Sequence, residues 1–439
     1  MAAPDKSVPK GSAAPTRADI ERCVVHAYID RGGVPATNAE MYASVCEQLC
    51  LDLTAFKAVS EEDRQGREYS TAMRSARWAQ QTLKAHGLLE SVGRGVWALT
   101  EDGREKLLRP NRGTTMLAFS TKLGIGVWGD ARDVFGELKD DITLMLSSPP
   151  YPIHKGRAYG TVTEAEYTDW ICSILEPVIA RLKPGGSLVL IVGNDVFVKG
   201  SPARSLYRER LVLALADRYG LDKMDTLIWH NGSKAPGPVR WASMTRQQLN
   251  CGYEAALWFA KDARQCLSNN MRVLQPHTDR HRRELEKGFQ RSERHSDGAY
   301  SLRPGRSFAN QTRGKIPRNV LSYGHSCSSQ RRYKRQAREL GLPVHGAPLP
   351  CSLVKFLVEF LSAPGDLVVE PFGGSMTVPL VCEQTGRPWI ASELYGQYIA
   401  GGAGRFAGAD GLSVSDQVLT AVGVDRNHFD RTIRNGETE

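Results

Sequence analysis

No apolar run in these 439 residues approaches the roughly 20 needed to cross a bilayer. The opening stretch, MAAPDKSVPKGSAAPTR, has no apolar segment either. Neither a membrane span nor a secretory leader is therefore expected, and the chain is expected to stay in the cytoplasm where it is made. No Cys-x-x-Cys pair occurs among the nine cysteines. Cys46 and Cys50, the closest two, stand one helical turn apart without a companion ligand pair, which argues for reduced thiols and no metal. Internal repeats are absent, so a solenoid is not expected.

Negative charge is scarce in one region. Residues 262–345 hold 18 Lys and Arg against 7 Asp and Glu, an excess of +11 that is larger than the +9 of the whole chain. Solubility does not require such a concentration; a polyanionic partner explains it. Over the whole chain, 41% hydrophobic and 24% charged residues fit a folded globular protein of roughly three domains.

Residues 1–14, rich in Ala, Pro, Ser and Lys, read as a flexible tail. Residues 15–110 read as a small, mostly helical domain. Met73, Ala76, Ala79 and Leu83 recur at helical spacing. LLESV and VWALT then flank Gly93-Arg94-Gly95 as a hairpin, and another short helix follows. Helix, hairpin and helix make a winged-helix plan.

From 115 to 261 the pattern becomes α/β. TLMLS (143–147), SLVLIV (187–192), DTLIW (225–229) and EAALWF (254–259) read as buried strands. Ile171, Ile174, Leu175, Val178 and Leu182 mark an apolar helix face between the first two. The Arg-rich and Ser-rich stretch 262–345 breaks this rhythm and reads as an irregular insert. Residues 346–410 resume it with a helix near 351–362, a strand at 366–370, a glycine loop, a helix and a strand at 388–393. Residues 411–439 read as a C-terminal tail. Alternating strands and helices imply an open, doubly wound sheet.

Two elements carry chemistry. SSPPYP (147–152) directly follows a buried strand, where open α/β sheets bind ligands. Pro149 and Pro150 stiffen the backbone and remove two N–H donors. What remains is the Ser148 hydroxyl, carbonyl acceptors and the Tyr151 plane. An exocyclic NH2 can donate to Ser148 and to the Pro149 carbonyl while Tyr151 stacks on the base. The bland alternative is a proline-stiffened turn. The second element is GDLVVEPFGGSMTVPLVCEQTGRPWIASEL (365–394), in which Glu393 lies 19 residues beyond Gly374. An acidic residue about 20 residues past a glycine loop is the arrangement that grips ribose hydroxyls.

With both elements in this order, the chain resembles the DNA amino-methyltransferases that act on cytosine N4 or adenine N6. Their [D/N/S]-P-P-[Y/F/W] motif is SPPY here, and their D-P-F-x-G-x-G loop is EPFGGSM. The order, catalytic half first and cofactor half last, is that of the beta subgroup. The winged-helix stretch resembles the N-terminal domain of the Mrr restriction endonuclease. The resemblance implies a Rossmann-like methyltransferase sheet of permuted motif order, with S-adenosyl-L-methionine as cofactor. It implies catalytic roles for Ser148, Pro149, Pro150 and Tyr151. Cofactor contacts fall to Asp130, Pro348, Glu370, Phe372, Gly373, Gly374, Ser375, Thr377 and Glu393.

Double-stranded DNA is the implied partner, with the target base flipped from the stack. Lys315, Arg318, Asn319, Arg331 and Arg332 of the basic insert are the candidate DNA contacts, Asn319 by reading a base edge. A homodimer is expected by analogy with the subgroup; whether an endonuclease accompanies the chain is not written in the sequence. Cytosine N4 is slightly favoured over adenine N6, because Ser in the first motif position accompanies the cytosine enzymes. Cytosine-C5 chemistry is excluded, since Pro350-Cys351-Ser352 is not the Pro-Cys-Gln of those enzymes.

Two positions depart from the pattern. Glu370 replaces Asp, and Met376 stands where Gly is common; a helix N-terminus tolerates Met there if its φ is negative, so a local adjustment rather than loss of cofactor binding is expected. The rival readings are an RNA or protein amide methyltransferase, and a DNA-binding regulator with a decayed cofactor site. The winged helix, the basic insert and the motif order favour DNA methylation.

Overall fold

A computed structural model describes residues 15, 17–29, 34–49, 51–58, 60–62, 68–100, 103, 113–152, 163–287, 293–294, 301–302 and 313–435. The tail 1–14 and the short helix expected after the hairpin lie outside these residues, Gly103 apart.

The N-terminal unit packs helices Arg17–Ile29, Asn38–Gln48 and Thr71–Ala85 against a three-stranded antiparallel sheet with Val96–Leu99 at its centre. Thr37 and Glu40 close a capping box on the second helix, and Ser70 caps the third. Val24, Tyr28, Met41, Val45, Phe56, Ala76 and Leu83 form its core. The winged-helix plan is what the alternation of caps and apolar faces dictates.

The large sheet has ten strands: β1 Met116–Ser120, β2 Gly124–Trp128, β3 Ile142–Ser147, β4 Leu182–Gly193, β5 Asp222–His230, β6 Tyr253–Ala260, β7 Val320–Ser322, β8 Val368–Glu370, β9 Trp389–Glu393 and β10 Ser413–Val414. Their spatial order is β7-β5-β6-β4-β3-β8-β9-β2-β1-β10. The five central strands β4, β3, β8, β9 and β2 run parallel. A parallel sheet needs cover on both faces, and every residue of β3 is buried. Leu144, Leu146, Val189 and Ile191 face one layer, which holds helices Cys351–Leu361 and Thr377–Gln384. Met145, Leu188, Leu190 and Val192 face the other, which holds Glu164–Ala180 and Tyr207–Tyr219.

β3 connects through its helix to β4 on one side, whereas β8 connects through Thr377–Gln384 to β9 on the other. The chain therefore diverges between β3 and β8, and this switch point opens a crevice at their carboxyl ends.

Two expectations need correction. Residues 411–439 are not simply a tail: β10 pairs with β1, and Val418, Leu419, Phe429 and Ile433 from helices Asp416–Ala421 and Arg426–Asn435 join the main core. The polar residues of that stretch hide a few apolar anchors, Val418-Leu419 in one helix and Phe429 and Ile433 in the next. The basic region 262–345 is also less separate than its composition implies. β7 pairs with β5, and Tyr333, Ala337 and Leu340 of or beside helix Ser328–Glu339 are buried in the main core.

Because Phe429 is fully buried, Phe429→Ala is expected to destabilise the catalytic unit by about 3 kcal/mol. Urea denaturation followed by tryptophan fluorescence measures this, and an unchanged midpoint would show that the segment does not belong to the core.

Candidate active site

Ser148-Pro149-Pro150-Tyr151 leaves the carboxyl end of β3. The Ser148 hydroxyl donates to the Ile191 carbonyl of β4 at 3.0 Å. A hydroxyl has one proton and two lone pairs. With the proton committed to Ile191, Ser148 offers only acceptor capacity to anything entering the crevice. Pro149 adds a carbonyl without an N–H. The pair suits an amino donor and does not suit a carbonyl.

Tyr151 is positioned by a residue that sequence reasoning missed. A Cβ on Gly193, the last residue of β4, would lie 2.7 Å from two carbons of the Tyr151 ring. Only glycine permits the ring to lie there. The Gly193 carbonyl accepts from the Tyr207 hydroxyl, and the Tyr207 ring meets Tyr167 edge-on at 5.3 Å. Trp170 lies 5.9 Å from Tyr167 and 6.1 Å from Phe372. A run of aromatic rings thus joins the SPPY loop to the glycine loop. Burial pushes both Tyr167 and Tyr207 above the ordinary tyrosine range, so both stay neutral.

The glycine loop follows β8, one strand away. Glu393, buried at the end of β9, accepts from the Gly374 N–H at 2.6 Å and from the Tyr395 N–H at 2.8 Å. A buried carboxylate at this strand end has the acceptor chemistry that suits ribose hydroxyls. Asp130 lies in the same row, just past the end of β2. It caps helix Ala131–Gly136 and holds Arg132 through two bonds of 2.9 and 2.6 Å. Phe372 is half-buried, while Ser375 and Thr377 are buried with hydroxyls 3.2 Å apart. Pro348 is also buried, and its carbonyl accepts from Gln330 at 3.1 Å.

Met376 does not keep a negative φ; it sits at +57° in the left-handed region. That conformation costs a non-glycine residue roughly 1–2 kcal/mol. Compensation comes from packing. Cβ atoms on Gly373 or Gly402 would approach the Met376 side chain to 2.4 and 2.6 Å, so two glycines leave the space that this side chain fills. Met376 is fully buried.

Glu370 is buried, and among the described residues its Oε2 has no hydrogen-bond partner. Burial first, and the neighbouring Glu393 charge second, raise its pKa well above the carboxylate range. The lone oxygen fits a cationic or N–H group on a bound cofactor. Arg405 opposes these charges from beneath the loop. Its guanidinium donates to the Ser375 carbonyl at 2.7 Å, to Thr377 Oγ1 at 2.8 Å and to Ser329 Oγ at 2.9 Å. One buried cation therefore ties helix Ser328–Glu339 to the start of helix Thr377–Gln384. No sequence signal marked it beyond an arginine in an otherwise small-residue stretch, GGAGRFAG. The residues present therefore fit S-adenosylmethionine: a carboxylate for ribose, a glycine loop for close approach, and a second, unsatisfied carboxylate.

The candidate DNA contacts are dispersed. Lys315 and Arg318 are exposed on the approach to β7, and Asn319 gives its amide N–H to Asp225 Oδ2 at 3.2 Å. Arg331 is exposed on helix Ser328–Glu339. Arg332 turns toward a groove shared with Glu383, Gln384 and Asp410, at the end of helix Thr377–Gln384 remote from the glycine loop. Among the described residues, no group of three metal-ligating side chains is found.

Gly193→Ala is expected to displace the Tyr151 ring and lower kcat for methyl transfer at least about tenfold, an effect of misplacement, with cofactor affinity unchanged in titration calorimetry. Glu370 supplies a second test. Its native pKa is raised, so the native state holds its proton at pH values where the unfolded chain has lost it. Stability from this group is complete below the unfolded pKa of about 4.3 and is lost as pH rises toward the native value. Glu370→Gln, measured without cofactor, is therefore expected to gain stability over wild type as pH rises from 4 to 8; a constant difference would remove the buried charge from the account.

The comparisons with known proteins agree with this geometry. A DNA methylase family model matches residues 142–403, and the model of the Mrr N-terminal domain matches residues 23–109. The Type II methyltransferase M.PvuII of Proteus hauseri is 33% identical over 297 residues, covering 66% of this chain and 85% of its own. The DNA adenine methyltransferase YhdJ of Escherichia coli (strain K12) is 24% identical over 293 residues, covering 65% of this chain and 84% of its own. The solved structure of PvuII DNA methyltransferase (cytosine-N4-specific) superposes with a TM-score of 0.53 at 28% identity, over 72% of this chain and 94% of that one. With a donor loop and an amino-acceptor loop at adjacent strand ends, the chain belongs to the DNA methylase family and methylates an exocyclic amino group of DNA with S-adenosyl-L-methionine.

Proposed function

We propose that this enzyme methylates cytosine at N4 within a specific site of double-stranded DNA. The observation that carries the amino-group acceptor, common to cytosine and adenine, is the Ser148 hydroxyl, whose proton is spent on Ile191 and whose oxygen is left to accept. The target amino group donates one proton to Ser148 Oγ and the other to the Pro149 carbonyl. Its nitrogen lone pair is thereby directed outward. Tyr151, braced by Gly193, stacks on the flipped base. When bound, S-adenosylmethionine supplies an electrophilic methyl group on its sulfonium.

Glu393 holds the ribose, the 373–377 loop the middle of the cofactor, and Glu370 with the buried Pro348 segment its methionine end. Asp130 borders the adenine. No covalent bond to the protein is required. Catalysis is mainly positioning: Ser148, Pro149 and Tyr151 would hold the target nitrogen toward the methyl group that the cofactor supplies.

Residues 115–261 then serve as the catalytic half and 346–410 as the cofactor half. The basic region 262–345 serves target recognition, with Lys315, Arg318 and Arg331 on phosphate. The enzyme acts in the cytoplasm, as a homodimer by analogy with the beta subgroup. Cytosine is favoured because M.PvuII, at 33% identity, has a counterpart structure described as cytosine-N4-specific. YhdJ, described as an adenine enzyme, stands at 24% and supports adenine N6 as the second reading.

Incubation with isotopically labelled S-adenosylmethionine and unmethylated duplex DNA, followed by nucleoside mass spectrometry, tests this. N4-methyldeoxycytidine is expected. Ser148→Ala and Tyr151→Ala are each expected to lower turnover by about 100-fold or more, the scale for losing one preorganised polar group, while cofactor affinity stays within about twofold. N6-methyldeoxyadenosine would move the assignment to adenine, and label only in RNA or protein would overturn it.

A further inference from the structure

β5 and β6 are joined by residues 231–252, and the sheet register fixes where that connection projects. Glu254 at the start of β6 pairs with Gly193 at the end of β4, the glycine that braces Tyr151. The connection therefore leaves the sheet at the catalytic edge, two strands from the one that carries the SPPY loop. Its base is tied down. The Lys234 ammonium contacts Asp195 at 3.0 Å and Glu254 at 3.4 Å, and the Cys251 N–H donates to the Gly237 carbonyl at 2.7 Å. Beyond this neck the tip is ordered on itself: the Trp241 carbonyl accepts from the N–H groups of Gln247 and Gln248. Arg246 has φ +62°, a conformation unusual for a residue with a side chain.

What the tip shows to solvent is unusual for a loop. Val239, Met244 and Leu249 are 61%, 74% and 86% exposed. Arg240 and Arg246 are exposed between them, and residues 231–252 contain no Asp or Glu. Three apolar side chains held out in water on an ordered loop, which Gln248 also ties to the Pro202 carbonyl at 3.0 Å, mark a contact surface. Uniform positive charge at the edge where DNA must bind selects its partner. Side chains of this kind enter duplexes beside unstacked bases, and a flipped base leaves such a gap.

We propose that residues 238–250 form a wedge that enters the DNA beside the target base, with Met244 and Leu249 supporting the opened stack and Arg240 and Arg246 on flanking phosphates. This inference rests on the DNA-methylating reading above. The apolar residues help to open the duplex, whereas the arginines add affinity and salt dependence without sequence information.

The test uses the full chain, and duplexes carrying the site that modified-base sequencing of wild-type-treated DNA reveals. The exposed positions allow Val239→Ser, Met244→Ser and Leu249→Ser to be combined without touching the core. This triple variant is expected to methylate the matched duplex at least tenfold more slowly. A duplex mismatched at the target base should restore most of the rate, because the opening step is then easier. In Arg240→Ala/Arg246→Ala, the slope of log affinity against log salt should shrink by about 2, near 0.9 for each lost phosphate contact. Wild-type rates and slopes in both variants would overturn the proposal. So would a triple variant that loses self-association and whose rate the mismatch does not restore, since the tip would then join two copies of the chain. Absence of DNA methylation by the wild type would instead strike the proposed function.

Discussion

The parallel register between β3 and β8 is the constraint on which the site depends. Val368 pairs with Leu144 and Val369 with Met145, so the two strands end level with each other. The chain then turns one way after β3 and the other way after β8. No helix can cover both carboxyl ends at that divergence. The SPPY loop and the glycine loop are left facing a shared crevice although more than 200 residues separate them. Glu393 and Asp130 extend the row along β9 and β2. The register thus does what an active site requires, holding two reactants at one place on rigid elements.

The glycine loop stores unfavourable terms that its surroundings offset. Met376 takes a left-handed conformation, and Gly373 and Gly402 leave room for its side chain. Glu370 buries a carboxyl oxygen without a partner, and Arg405 brings a buried cation to the same loop. Strain and unsatisfied polar groups concentrate at functional sites. Here both lie at the glycine loop, the proposed cofactor site. Glu370 and Met376, which in the sequence look like departures from a pattern, are parts of one compensated arrangement.

The SPPY motif and the glycine loop were legible because short-range chemistry marks them. Two prolines and an acidic residue at a fixed offset act through their side chains, and two glycines through the lack of one. The strands around them were legible because buried parallel strands are uniformly apolar. Gly193 was not, since its role is to have no side chain where Tyr151 lies, and that contact spans 42 residues. Arg405 was not, because its partners Ser329, Ser375 and Thr377 come from distant stretches. The C-terminal helices were missed for a third reason. Val418, Phe429 and Ile433 are few apolar anchors among charged neighbours, and only the sheet edge they cover reveals them. The φ of Met376 was misread because local propensity was overridden by packing.

A structure of the enzyme with cognate duplex and S-adenosylhomocysteine would test the central claim most directly. The ribose should lie against the Glu393 carboxylate, and the target base should lie on Tyr151 with its amino group between Ser148 Oγ and the Pro149 carbonyl. Finding the cofactor product instead in the groove of Arg332, Glu383 and Asp410, or the target base still stacked in the duplex, would contradict the account.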